Sequence, residues 1–268
     1  MAHERSLDPL IITFDVHPRA VLQADYIPQL LTTLNDRKAL LSQYGEVVVL
    51  PFSEIRQLTA QDFMRTLKTQ YNVEVLLMGY DHMFGSDRLR RHQDYRRIGE
   101  SVGIDVISLG EYIDGELHVS STEIRQALLS GNIAVANELL GRPYSLTGVV
   151  THGNGIGRTI GFPTANIAPT DSSLIIPKPG VYAVEITNHQ LQSPTIFALC
   201  NIGTNPTVGN TEQTIEVYIP DFSGNLYDTE LTIRFARFIR EEKTFPSLDA
   251  LREQIQEDLN VLTLRNNL

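Results

Sequence analysis

The chain has 268 residues, with 22 lysines and arginines against 32 aspartates and glutamates, and a formal net charge of −10. That balance argues against nucleic acid or an anionic membrane as the main partner, and it makes any phosphate site a local feature. The length is enough for two domains, each with its own core. The N-terminus Met1-Ala2-His3-Glu4-Arg5 lacks an apolar signal region, and no apolar run approaches membrane-spanning length, so a soluble protein is expected. The single cysteine, Cys200, sits in the apolar run Phe197-Ala198-Leu199-Cys200 and reads as a small core residue, which fits a reducing cytoplasm.

In chain order, residues 10–14, 47–50, 73–78 and 104–107 are apolar, β-branched runs suited to strands buried on both faces. Helical patterns lie between them, over 34–44 with Thr33 as cap and Gly45 as stop, and over 60–71 with Thr59 and Asp62 at its start. Alternating strands and helices predict a parallel doubly wound sheet, whose ligands sit beyond the carboxyl ends of the strands.

Polar loops follow in those places. His17, Pro18 and Arg19 come after the first strand as a ligand edge, although a lone histidine is more often structural. Gly79, Asp81 and Phe84 come after the third, in a glycine-bounded turn around an aromatic and a carboxylate. The arginines at 88, 90, 91, 96 and 97 spread around a helix and read as a solvated face. Ser120 with Glu123 forms a capping box, while the hydroxyls of Ser120, Ser121 and Thr122 with Arg125 also suit an anion site at a helix start. A short helix over 132–140 stops at Gly141, and 142–144 is the natural linker between a domain over 1–142 and a second over 143–268.

The second domain has short, turn-bounded strands at 146–151, 181–187, 195–201, 214–219 and 231–238, for which an antiparallel barrel is the simplest reading. A last helix carries the stripe Leu248, Leu251, Ile255, Leu259 and Leu262, with Ser247 as cap.

Between the first two of these strands lies the stretch 152–166, where Gly153, Gly155, Gly157 and Gly161 let backbone N–H groups approach an anion. It is neither a Rossmann fingerprint nor a P-loop, because Pro163 follows Gly161 where those motifs start a helix; the loop joins strand to strand. Thr164 and Asn166 then place two neutral oxygens on one face of an extended segment, a donor set suited to Mg²⁺ on a nucleotide. Glycine count alone favours an ordinary hairpin with a Thr/Asn turn. In 214–219 the period of two puts Ile215, Val217 and Ile219 on one side and Thr214, Glu216 and Tyr218 on the other, so Glu216 is off the core.

The string Gly-x-Gly-x-Gly-Arg-x-x-Gly-Phe-Pro-Thr-Ala-Asn over 153–166 resembles the ATP site of riboflavin kinases. Thr-Phe-Asp-x-His-Pro-Arg, Gly-Tyr-Asp-x-x-Phe-Gly and Ser-Ser-Thr-x-Ile-Arg resemble the adenylyltransferase half of bacterial bifunctional riboflavin kinase/FAD synthetases. The resemblance implies a Rossmann-like parallel α/β nucleotidyltransferase domain followed by a six-stranded antiparallel β-barrel kinase domain with a C-terminal helix.

It also implies ATP-dependent phosphorylation of riboflavin to FMN, with Mg²⁺ held through Thr164 and Asn166. Gly153, Gly155, Gly157, Arg158 and Gly161 would bind ATP, and Glu216 would be the catalytic carboxylate. Arg240, Glu241 and Lys243 would lie in the segment covering the flavin, whose plainer explanation is a charged linker. FMN and FAD would be products or ligands, and His17, Pro18, Gly79, Asp81, Phe84, Ser120, Ser121, Thr122 and Arg125 would serve the adenylyltransferase.

Two positions and the N-terminal segment depart from the pattern. Val16 stands where proline is usual, and Asn205 stands where arginine is frequent, so no anion contact is carried to it. Family members normally begin with a further strand, a His-x-Gly-His loop and a helix, whereas nine residues precede the first strand here and no His-x-Gly-His occurs. The expectation is a kinase whose FMN adenylyltransferase half is impaired. The alternatives are a fully bifunctional enzyme once that segment is restored, or a non-catalytic flavin-binding module.

Overall fold

The computed structural model describes residues 1–110, 113–114, 117–153, 155–188, 195–207 and 210–263. It divides into two compact units, Met1–Pro28 with Leu34–His118, and Gln29–Thr33 with Val119–Leu268. The expected boundary at residues 142–143 falls inside the second unit.

Unit one runs β1 (Leu10–Phe14), α1 (Pro18–Leu22), α2 (Leu34–Ser42), β2 (Glu46–Leu50), α3 (Phe52–Ile55), α4 (Ala60–Tyr71), β3 (Val75–Met78), α5 (His92–Val102), β4 (Asp105–Ser108), β5 (Ile113–Asp114) and β6 (Leu117–His118). Helix α4 begins as its sequence dictates: Thr59 Oγ1 accepts from the Asp62 amide at 3.1 Å and donates to Asp62 Oδ2 at 2.7 Å. Its buried face, Phe63, Met64 and Leu67, joins Leu50, Met78, Tyr95, Ile104 and Val106 in one core.

The strands pair in parallel, as their composition predicts, with Leu10 opposite Glu46 and Val75 opposite Asp105. They form two two-stranded sheets, β1 with β2 and β3 with β4, where one continuous doubly wound sheet was expected. Among the described residues no strand joins β1 to β3. Instead a groove of about 820 Å³ is lined by consecutive residues of both, including Leu10, Ile11, Ile12 and Val75–Met78. Every residue of β1 is therefore only half-buried.

Unit two runs α6 (Ser121–Ser130), α7 (Ile133–Leu140), β7 (Tyr144–Thr151), α8 (Ile156–Thr159), β8 (Thr164–Pro169), β9 (Gly180–Thr187), β10 (Ile196–Thr207), β11 (Asn210–Tyr218), β12 (Glu230–Arg240) and α9 (Leu248–Thr263). The six strands close into a barrel in the order β10-β11-β8-β7-β12-β9, every neighbouring pair antiparallel. Period-two alternation fills the interior with Leu146, Val150, Tyr182, Val184, Cys200, Ile202, Ile215, Val217, Ile233 and Phe235. The sixth strand, β8, begins with the Thr-Ala-Asn of the Pro-Thr-Ala-Asn segment.

Helices α6 and α7 share this core through Ile124, Leu128, Ile133 and Ala136. Asn137 fixes α7 to the barrel, donating from Nδ2 to the Phe235 carbonyl and accepting the Tyr144 amide at Oδ1, both at 2.8 Å. Helix α9 lies on the outside of the barrel, where Ile255, Leu259 and Leu262 meet Val181, Ala183 and Leu199. Ser247 caps it by accepting from the Ala250 amide at 3.2 Å. Leu248 does not belong to the apolar stripe. It is 56% exposed at the first turn, while Asp258, only 3% exposed, occupies the buried face.

Candidate active site on the outer face of the barrel

Strand register assembles the site. β8 lies beside β11 with Thr164 opposite Tyr218 and Asn166 opposite Glu216. β11 lies beside β10 with Glu216 opposite Asn201 and Thr214 opposite Gly203. Because Ile215 and Val217 point into the core, all of these residues share the outer face, and Asn166, Glu216 and Asn201 form a polar row across three strands. Glu216 is half-buried, as its alternation predicted, and its Oε2 accepts a 3.0 Å hydrogen bond from the Thr164 hydroxyl.

The glycine-rich stretch leaves β7 and returns as β8. His152 stacks on Tyr227 with ring centroids 4.0 Å apart. A Cβ on Gly153 would collide with the Asn166 amide, so glycine there lets that side chain lie against the loop. Asn154 lies outside the described residues.

As expected, no helix starts after Gly161 and the stretch joins strand to strand, with one helical turn, α8, inside it. Gly155 and Gly161, with φ of 68° and 87°, supply the left-handed corners on either side, which a sequence rule about Pro163 does not exclude. Arg158 and Thr164 then line one cleft of about 290 Å³ together with Pro163, Phe222 and Tyr227.

After β12 the chain passes the same face. Arg240 grips Asp258 with Nε 3.0 Å from each carboxylate oxygen and Nη2 2.8 Å from Oδ2, and its Nη1 donates to the Glu241 carbonyl at 3.0 Å. Glu241 pairs with Lys178 at 2.7 Å, and that hydrogen bond lowers its pKa from the ordinary carboxylate value. Lys243 Nζ reaches Gln254 Oε1 at 3.4 Å. The residue that turns onto the polar row is Glu242, whose Oε1 lies 2.9 Å from where a Cβ on Gly203 would stand.

Sequence alternation put Thr214 on the Glu216 side, but sequence reasoning did not single out Asn201, Gly203 or Glu242 for this face. For Asn201 the signal was available in strand alternation; for Glu242 it was not, because its place depends on barrel closure. The Asn205 side chain lies outside the described residues.

Cys200 is a fully buried free thiol, as expected, and burial followed by the nearby Glu216 carboxylate pushes its pKa up.

The residues expected for adenylyl transfer divide between the units. In unit one, His17 caps α1 by accepting the Arg19 amide at Nδ1, 3.2 Å away, ahead of Pro18 in the first turn, and its ring packs beside Tyr26. The cap leaves the backbone extended at His17. Gly79 accepts the His82 amide at its carbonyl in the turn that carries exposed Asp81. Phe84 packs among Phe63, His82 and Tyr95, and the Tyr95 hydroxyl donates to its carbonyl at 2.7 Å. In unit two, Ser120 accepts the Glu123 amide at 3.2 Å as the capping box predicts, Ser121 and Thr122 are exposed, and Arg125 Nε donates to the Gln29 carbonyl at 2.7 Å.

Two family models match, FAD synthetase over residues 1–123 and riboflavin kinase over residues 140–264. The bifunctional riboflavin kinase/FMN adenylyltransferase of Escherichia coli strain K12 is 36% identical over 95% of this chain and 82% of its own length. The chain belongs to this bifunctional family. The relative of the same name from Haemophilus influenzae is 35% identical over 96% of this chain and 84% of its own.

A crystal structure described as a macrolide-efflux protein from Streptococcus pneumoniae superposes with a TM-score of 0.86 at 33% identity, covering 97% of this chain and 84% of that one. In the present chain no helix among the described residues is long and apolar enough to cross a membrane. The family's two parts correspond to the parallel α/β unit and to the closed barrel with its C-terminal helix.

Proposed function

We propose that unit two transfers the γ-phosphoryl group of ATP to the 5′-hydroxyl of riboflavin. The observation that carries this reading is the Glu216 carboxylate, off the core and tethered by the Thr164 hydroxyl, beside the cleft that Arg158 and Thr164 line. Glu216 accepts the proton of the hydroxyl as its oxygen attacks phosphorus. Gly153, Gly155, Gly157 and Gly161 offer backbone N–H groups to the nucleotide phosphates, and Arg158 adds a fixed positive charge. Phe222 and Tyr227 give the same cleft an aromatic wall suited to a base.

The donor set fits Mg²⁺. The Thr164 hydroxyl directs its hydrogen to Glu216, which leaves its oxygen lone pairs for a cation, and the Asn166 amide oxygen shares the face. Thr164 and Asn166 would hold the ion, which neutralises charge on the phosphoryl oxygens. Arg240, Glu241 and Lys243 belong to the segment that covers the flavin; of these Arg240 acts by anchoring that segment to α9.

FMN adenylyl transfer is assigned to the family's other half, with His17, Pro18, Gly79, Asp81, Phe84, Ser120, Ser121, Thr122 and Arg125 as its candidate contacts. The cytoplasm, where ATP is present and a lone thiol stays reduced, is the expected location. Steady-state ADP release with riboflavin and Mg-ATP tests the kinase reading: flavin-dependent release supports it, and flavin binding without release makes the protein a binder.

A further inference from the structure

We propose that His92 and Tyr95 are positioning residues for the adenylyl half, holding the loop 80–84 in the conformation that receives its ligand. This deepens the adenylyl-transfer reading and rests on it. The two side chains stand one turn apart on α5. His92 Nε2 lies 2.7 Å from the Tyr80 carbonyl, which can only accept, so Nε2 donates there and Nδ1 accepts from the Ser108 hydroxyl at 3.0 Å. The Tyr95 hydroxyl accepts the Phe84 amide at 3.0 Å and donates to the Phe84 carbonyl at 2.7 Å. One turn of helix therefore grips the backbone at both ends of the loop, and Ser108 ties that grip to the last residue of β4.

Between the two grips Asp81, His82 and Met83 are exposed beyond the carboxyl end of β3, the place where a parallel sheet binds ligands. Packing alone does not require these contacts. Tyr95 is 1% exposed and fills the core with its ring beside Phe84, a task phenylalanine would perform without the hydroxyl. His92 is half-buried and outside the core cluster. The chain after the loop is held separately, by the Ser86 amide on the Leu58 carbonyl at 2.8 Å and by Asp87 on the Ala60 amide at 3.0 Å. What the imidazole and the phenol add is order in five backbone residues, order that a ligand would otherwise have to impose as it binds.

FAD, the product of adenylyl transfer, is the probe, titrated by calorimetry into the 268-residue protein. Amide hydrogen exchange across residues 79–91 reports whether it binds at this loop. Tyr95→Phe and His92→Phe should each weaken FAD binding about 3- to 10-fold, the value of one neutral hydrogen bond, and should speed exchange at residues 80–84. His92→Gln, whose amide can donate to Tyr80 and accept from Ser108, should bind FAD nearly as the unsubstituted protein does. The kinase KM values for riboflavin and ATP should stay unchanged in all three, and the melting temperature should hardly move.

Unchanged FAD affinity in folded Tyr95→Phe and His92→Phe overturns the positioning role, as does a His92→Gln protein that binds as weakly as His92→Phe. Should Tyr95→Phe fail to fold, the two His92 variants carry the comparison alone. FAD that binds the unsubstituted protein without slowing exchange at the loop, or does not bind it, would instead remove the loop from the adenylyl site and the proposal with it, so the two failures are distinguishable.

Discussion

The Thr164 hydroxyl donates to Glu216 Oε2 across 3.0 Å and so joins the strand that follows the glycine-rich loop to the carboxylate of the next strand. If Thr164 also holds the metal–nucleotide complex, Thr164→Val removes both functions without changing side-chain shape. Mg-ATP affinity by calorimetry should fall roughly 10-fold, in line with loss of one charge-assisted contact. Asn166→Ala should act in the same direction. Melting temperature should hardly move, because both side chains lie off the core; unchanged ATP affinity in both variants removes them from the nucleotide site.

Arg240 and Asp258 make the buried ion pair of unit two, with side chains 14% and 4% exposed. Removing one partner strands the other charge, so Asp258→Ala should cost about 3–5 kcal/mol in chemical denaturation. Replacing both, as in Arg240→Met with Asp258→Leu, should recover most of that loss. A double variant as unstable as Asp258→Ala would show that the pair contributes more than the relief of two buried charges.

Alkaline stability should depend on Cys200. Its thiol pKa is raised first by burial and then by Glu216, and burial likewise raises that of Tyr182. An unfolded thiol ionises near pH 8.5, roughly. Above that pH the unfolded chain holds fewer protons than the folded one, so stability present in full at lower pH declines as pH rises toward the folded value. For one group the slope approaches about 1.4 kcal/mol per pH unit. Denaturation midpoints measured from pH 7 to 10 should fall less steeply in Cys200→Ala than in the unsubstituted protein; parallel slopes would contradict this.

Local chemistry made much of the molecule legible before any coordinates. The β-branched runs at 10–14 and 47–50 became parallel strands, and the alternation in 214–219 put Glu216 outside the barrel because pleating turns successive side chains to opposite faces. Caps at Thr59, Ser120 and Ser247 held because they involve only neighbours three residues away. What failed was long-range. The division of four parallel strands into two sheets depends on which edges find partners, and an apolar run such as Leu10–Phe14 does not name its neighbour. Glu242 reaches Gly203 only after β12 has crossed the barrel. Asp258 did leave a trace: it falls between Ile255 and Leu262 on the apolar stripe, where a carboxylate requires a buried cation.

Glu216→Gln is the most direct test of the kinase chemistry. The amide keeps the shape and can still accept from Thr164, but it cannot take a proton from the attacking hydroxyl. With riboflavin and Mg-ATP, ADP release should fall by about 10²–10⁴-fold, while riboflavin and Mg-ATP binding and the melting temperature stay near those of the unsubstituted protein. A folded Glu216→Gln protein that releases ADP at the unsubstituted rate would contradict the assignment of Glu216 as the group that receives the proton.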